Sequence, residues 1–277
     1  MNEIKEGFNR ISGQTVFMTM LLVIVNYLIL GSYDFISTRI IGEKTLKYPR
    51  ILLSAFICYA VTLNIGAFVG GMGFRYRIYS GWKIPKKKIP LIILFSTLSN
   101  WVGYTLLAGI LFLTQFENIQ KLLGLPQWLT TVLGIVSLSI VITYFILCKN
   151  QYETKVKNIH FAFPSLSVAF LQLALSCIQW SILSLIIYVF LNGLGADAGF
   201  GQVMFAFLVS SIAGVLTHIP SGIGVLESIF LRMDPEVADS TILVALICYR
   251  VIYYLIPLML AIPAYFYVEF YQKKKFT

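Results

Sequence analysis

The sequence predicts an all-α protein, a polytopic bundle of about eight helical segments built within a lipid bilayer. Three observations carry this reading. Hydrophobic residues make up 58% of the 277-residue chain and charged residues only 12%, with a mean hydropathy of +0.83. Soluble domains carry about 25% charged residues. The apolar residues come in long blocks, several of them near the roughly 20 residues that a helix needs to cross a bilayer. No block alternates with period two, and a backbone in lipid must satisfy its own hydrogen bonds, which favours helices. Disorder, collagen, coiled coils and small disulfide scaffolds are excluded by the same composition.

The first segment, 15–32, follows Glu3, Lys5, Glu6 and Arg10 and ends in Gly-Ser-Tyr-Asp without a small-x-small cleavage signal. It reads as a retained span, not a cleaved leader. Further segments fall at 51–70, 89–114, 128–147, 164–191, 202–217, 220–232 and 241–268. No polar stretch is long enough for a separate soluble domain, so residues 1–277 read as one transmembrane domain. No internal repeat stands out. The four cysteines (Cys58, Cys148, Cys177 and Cys248) have no CxxC spacing, and His160 and His218 complete no familiar metal site with them. No metal or cofactor is expected.

Lys and Arg number 21 against 12 Asp and Glu, a net charge of +9. In a membrane protein this excess reports orientation before nucleic-acid binding, and no nucleic-acid partner is expected. The loop 71–88 holds Arg75, Arg77, Lys83, Lys86, Lys87 and Lys88; the loop 148–163 holds Lys149, Lys155 and Lys157; the tail holds Lys273, Lys274 and Lys275. The positive-inside rule places all three in the cytoplasm. Parity is then restored if 202–217 and 220–232 form a hairpin entering and leaving on one side. The shortness of 220–232 favours a re-entrant hairpin with its turn at 218–224. The preferred topology places both termini in the cytoplasm. It leaves Arg39, Lys44, Lys47 and Arg50 on the outer side, against the rule. Either those charges serve a purpose there, which is the preferred reading, or 51–70 is itself re-entrant and the N-terminus lies outside; Gly66, Gly70, Gly71 and Gly73 permit the second.

A few polar residues stand out against this background. In His218–Glu227 (HIPSGIGVLE), Pro220 ends a helix, while Gly222 and Gly224 permit left-handed backbone. A helix restarting near Val225 offers free N–H groups to an anion such as a lipid phosphate. Glu227, in its first turn, is the competing cap, and a simple packing kink is the plain alternative. Arg250 lies inside the segment 241–268 and needs a partner, for which Glu227 is the acidic candidate. Tyr249, Tyr253 and Tyr254 could join that network or anchor an interface. Arg75 and Arg77 follow the glycines of 66–73 and suit either phosphate binding or anchoring to anionic lipid. Asp34 is expected to pair locally with Arg39. There is no nucleotide-binding glycine loop, GxSxG, HExxH or nucleophile–base pair.

In combination these pieces resemble one family. They are a Tyr-Asp after span one, Gly-Gly with Arg75, Tyr76-Arg77 and Tyr79-Ser80 after span two, Pro220-Ser221-Gly222-Ile223-Gly224-Val225-Leu226-Glu227, and Tyr249-Arg250 with Tyr253-Tyr254 and Pro257. The family is the flippase-like transmembrane domain of the lysylphosphatidylglycerol synthases, the bacterial multiple peptide resistance factors and their stand-alone relatives. Ser221 departs from the family's usual glycine. The resemblance implies a bacterial inner-membrane translocase for phospholipid, including lysyl-phosphatidylglycerol, with a role in resistance to cationic antimicrobial peptides. Full-length relatives add a soluble domain that transfers lysine from tRNA. Ending at Thr277, this chain leaves no room for it, so a lysyltransferase in its own right is disfavoured. An accessory subunit of a lipid-modifying or glycosyl-transferring enzyme is the alternative, and a small-solute transporter lacks an evident ion-coupling site. Membrane phospholipid is the expected partner, and a separate lipid-modifying enzyme or a second copy of the chain is compatible with the reading.

Overall fold

The computed structural model describes residues 2–66, 71–156, 159–217, 222–233 and 237–276. Helices dominate: α1 (Asn2–Arg10), α2 (Gly13–Ile40), α3 (Tyr48–Ile65), α4 (Phe74–Gly81), α5 (Ile89–Thr114), α6 (Phe116–Leu123) and α7 (Gln127–Lys149) come first. A short antiparallel hairpin of β1 (Glu153–Val156) and β2 (Ile159–Ala162) follows, an exception to the expected all-α fold in a polar loop. Then come α8 (Leu166–Gly193), α9 (Phe200–Thr217), α10 (Val225–Phe230) and α11 (Asp239–Arg250); a π-helical segment (Val251–Leu255) joins α11 to α12 (Ile256–Phe276). Among the described residues seven helices are long and apolar enough to cross a membrane. Local chemistry sets their ends. Ser12 caps α2 by accepting from the Thr15 N–H at 3.1 Å, Pro49 opens α3, and Gly124 closes α6 at φ 66°.

The chain forms two compact units, residues 97–180 and residues 1–96 with 181–277. In the first, the α5 backbone meets α8 so closely that a Cβ on Gly103 would lie 2.5 Å from the Cys177 nitrogen. Gln172 ties the helices by donating to Ser99 at 2.7 Å and accepting from Tyr144 at 2.6 Å. Small residues and buried side-chain hydrogen bonds replace the hydrophobic driving force that lipid removes.

The second unit has two distinct ends. At one, a Cβ on Gly193 would touch Thr15 at the start of α2, and Gly7 of α1 packs on Val244 of α11. At the other, the loop after α2, the start of α3, the end of α4, the start of α5 and the end of α12 gather. Lys88 pairs with Glu43 at 3.1 Å, Arg50 donates to the Tyr271 hydroxyl at 3.4 Å, and Trp82 donates to Ser54 at 3.0 Å. Gln272 donates to the Ile78 carbonyl at 3.0 Å. Two corrections follow. First, α3 and α4 leave and return at the same end, as the Lys88–Glu43 and Trp82–Ser54 contacts require, so Arg39, Lys44, Lys47 and Arg50 share an end with Lys83 and Lys86 to Lys88. The violation of the positive-inside rule disappears. Second, α2 and the α11–α12 helix run parallel, so the N-terminal helix and the end of α12 lie at opposite ends, not on one side. Charge counting missed this because an apolar descending arm resembles a full span.

The expected second hairpin is present. Gly222, at its turn, accepts from Arg250, which closes the 12-residue α11. At 1.5 Å per residue the turn lies about 18 Å from the start of that helix, inside a hydrocarbon core about 30 Å thick. Of the expected turn at 218–224, residues 218–221, including Pro220, lie outside the described residues.

These elements form an inverted repeat that the sequence did not reveal. Both α2 and α8 have 28 residues, and both α3 and α9 have 18. Each return arm follows a Gly-x-Gly, Gly71-Met72-Gly73 before α4 and Gly222-Ile223-Gly224 before α10. The first hairpin opens at the basic end and the second at the N-terminal end. Opposed half-helices of this kind are a recurring plan in transporters.

Candidate functional site

Each hairpin is tied to a long helix by an ion pair. In the first, Asp34 of α2 is fully buried and Arg75 of α4 nearly so. Arg75 donates from Nε to Asp34 Oδ2 at 3.2 Å and from Nη2 to Oδ1 at 3.1 Å. The Tyr79 hydroxyl donates to Oδ2 at 2.6 Å and Ser96 to Oδ1 at 2.7 Å. All four acceptor positions of the carboxylate are filled. The Arg75 guanidinium also lies 4.4 Å from the Tyr59 ring centroid.

In the second, Arg250 Nε donates to Glu227 Oε1 at 2.8 Å and Nη2 to Oε2 at 3.0 Å. Glu227 Oε2 also accepts from the Gly224 N–H at 2.8 Å. Gly222 and Gly224 have φ of 57° and 82°, which side chains rarely adopt, so the glycines aim the turn at Arg250. This pair is less enclosed than the first, with side-chain exposures of 16% for Arg250 and 23% for Glu227. The π segment directly after Arg250 groups the tyrosines. Tyr249 stacks on Tyr253 at 5.5 Å and 11°, and Tyr254 packs edge-on to both at 5.7 and 5.1 Å. Tyr253 reaches across to α2, donating to Asn26 Oδ1 at 3.2 Å and accepting from Tyr27 at its carbonyl at 3.3 Å.

The expected residues therefore divide among three places. Asp34 and Arg75 form one cluster. Gly222, Gly224, Glu227, Arg250 and Tyr249 gather at the second hairpin. Arg77 lies apart with a side chain 65% exposed, paired with Glu269, its Nη2 donating to Oε2 at 3.2 Å. The expected Asp34–Arg39 pair is absent because α2 continues to Ile40. Five residues on a helix turn through about 140°, so the two side chains diverge, and Arg39 donates instead to the Glu43 and Leu46 carbonyls at 3.1 and 3.2 Å. Glu227 caps the start of α10 in this arrangement, its Oε2 accepting from the Gly224 N–H. Tyr79, Ser96 and Tyr59 are the residues that sequence reasoning missed. No local spacing ties them to Asp34, which Tyr33 and Ser37 accompany on the buried face of α2.

At the basic end, Glu43 holds the α2–α3 loop by accepting from Thr45 at 2.6 Å and from Lys88 at 3.1 Å. Burial works against its charge, but the hydrogen bonds from Thr45 and Lys88 prevail and hold the Glu43 carboxyl below its ordinary value. Among the described residues no three His, Cys, Asp or Glu side chains gather to hold a metal.

A helical membrane protein with two opposed re-entrant hairpins, each latched by an ion pair, is the class that this fold and site define. The profile of the lysylphosphatidylglycerol synthase TM region matches residues 1–261, and the chain belongs to that family. It is 39% identical over 258 residues to the inner membrane protein YbhN of Escherichia coli K12, covering 91% of this chain and 80% of YbhN. It is 32% identical over 250 residues to slr0712 of Synechocystis, covering 86% and 74% of the two chains. A phosphatidylglycerol lysyltransferase of Staphylococcus aureus is 23% identical over 261 residues, 92% of this chain but 29% of that protein.

Proposed function

We propose that this protein is a phospholipid translocase of the bacterial inner membrane, with the end of α12 in the cytoplasm and α1 on the outer side. The observation that carries the reading is the opposition of the two latched hairpins. A molecule that must cross a bilayer needs a path closed to one side while open to the other. Two hairpins from opposite faces, each held by a separable ion pair, supply two such closures. Opening the second would part Arg250 from Glu227, giving a lipid phosphate the guanidinium and a cationic headgroup the carboxylate.

The similarity to a phosphatidylglycerol lysyltransferase supports an anionic or lysylated phosphatidylglycerol as cargo. Delivery of the lysylated form to the outer leaflet would lower surface negative charge and, with it, attraction of cationic peptides. The test is a leaflet-resolved assay in vesicles containing only this protein and labelled phosphatidylglycerol or its lysylated form. Wild type is expected to move lipid, and Arg250→Ala and Glu227→Gln to abolish movement at normal protein levels. Equal rates in empty vesicles would instead favour the accessory-subunit reading.

A further inference from the structure

We propose that the groove between α2, α3 and the α11–α12 helix seats one anionic phospholipid of the surrounding leaflet, with a chain in the groove and its phosphate against Arg50. The site lies apart from both ion pairs, and the inference does not depend on transport.

The groove encloses about 430 Å³, within the roughly 300–1,000 Å³ of ligand pockets. Its walls include Val23, Leu28, Leu53, Phe56, Ile252 and Leu260. The one hydroxyl among the lining residues, that of Tyr27, is engaged with the Tyr253 carbonyl. Such walls suit a hydrocarbon chain and offer nothing to a polar solute. Leu28 and Leu260 are 42% and 59% exposed, so the groove opens sideways, where lipid lies.

Toward the basic end the lining reaches Pro49, and the next residue is Arg50. Its guanidinium lies 5.3 Å from the Trp82 ring centroid and 5.9 Å from that of Tyr271. Arg75, Arg77, Lys88 and Arg250 each have a carboxylate, whereas among the described residues none pairs with Arg50. The two rings and the hydrogen bond from Nη2 to the Tyr271 hydroxyl hold the guanidinium while leaving its other N–H groups for phosphate. The surrounding loops, 39–50 and 83–88, carry eight Lys and Arg and one acid, Glu43, which Lys88 already occupies. The face therefore favours a net anionic headgroup over a zwitterionic one.

The test uses the purified, delipidated full chain titrated in native mass spectrometry with phosphatidylglycerol, phosphatidylcholine or inorganic phosphate. Wild type should retain phosphatidylglycerol in preference to phosphatidylcholine. Arg50→Gln should bind phosphatidylglycerol about fivefold more weakly, the worth of one basic contact at a membrane surface, and lose the preference. Arg50→Lys should keep most of it, and Lys5→Gln, an exposed cation of α1 at the other end of the unit, should leave it unchanged. Leu53→Trp, which fills the groove, should weaken both lipids, and it carries the test if Arg50→Gln does not fold. Equal retention of the two lipids, or an unchanged preference in Arg50→Gln, overturns the proposal. So does inorganic phosphate competing fully while Leu53→Trp has no effect, since that marks a bare anion site.

Discussion

Lys88 Nζ stands 3.1 Å from Glu43 Oε2, tying the loop after α2 to the loop before α5. Those loops cannot face opposite sides of a membrane, so α3 and α4 between them form a hairpin. In a variant lacking the four native cysteines, Lys44→Cys and Lys273→Cys should react with an impermeant thiol reagent from one face, and Gln14→Cys from the other. Labelling of positions 44 and 273 from opposite faces would remove the hairpin.

The same contact makes a pH prediction. The folded Glu43 carboxyl titrates below its ordinary value. Its stabilising contribution is therefore complete above the ordinary carboxylate pKa and is lost as pH falls through the lowered one. Melting temperatures of wild type and Glu43→Gln in detergent should differ at neutral pH and converge in acid. Parallel curves down to acid pH would deny Glu43 this role.

Asp34 and Arg75 bury opposite charges that neither can keep alone. Asp34→Asn or Arg75→Gln should each destabilise by about 3–5 kcal/mol, the usual cost of stranding one charge of a buried pair. The double variant should cost clearly less than the sum of the two. Denaturant titrations of the four proteins decide this, and an additive double variant would mean that the pair is not coupled.

Gly224 holds φ at 82°, and a side chain there is strained whatever the space around it. Gly224→Ala should cost about 1–2 kcal/mol and misdirect Glu227, so lipid movement should fall by more than stability alone explains. Gly201 lies early in α9 with open space around it, and Gly201→Ala should leave both properties near wild type. Equal transport by the two alanine variants would detach the turn from function.

Much of this was legible in the sequence, and the parts that were not share a physical cause. The segment 89–114 coincides with α5, and the Glu227–Arg250 pair follows from the cost of a lone charge at that depth. Asp34 was misread because Tyr33 to Gly42 contains Asp, Ser, Thr and Arg, which look like an interface. The helix in fact continues through them and points Asp34, Ser37 and Thr38 inward. Its partners lie 41 to 62 residues away, beyond any local spacing rule. The repeat left little sequence trace beyond its Gly-x-Gly turns. The two halves meet different neighbours, and only the backbone requirement at the turns is common to both.

The wide turn at Val251–Leu255 has a consequence for the long helix that contains it. A π turn carries one residue more than an α turn. Deleting one residue there would leave a plain α turn. Both turns make about one revolution, so the two halves would keep their angle, whereas a one-residue deletion in the regular α parts would rotate one half against the other by about 100°. Arg250, before the turn, is keyed to α10, while Glu269 and Gln272, beyond it, are keyed to α4. The helix is a shaft engaging both hairpins, and its count of residues sets the angle between the two keys. A one-residue deletion in α12 before Glu269 would disengage one hairpin or the other, while the same deletion within the wide turn would be absorbed there.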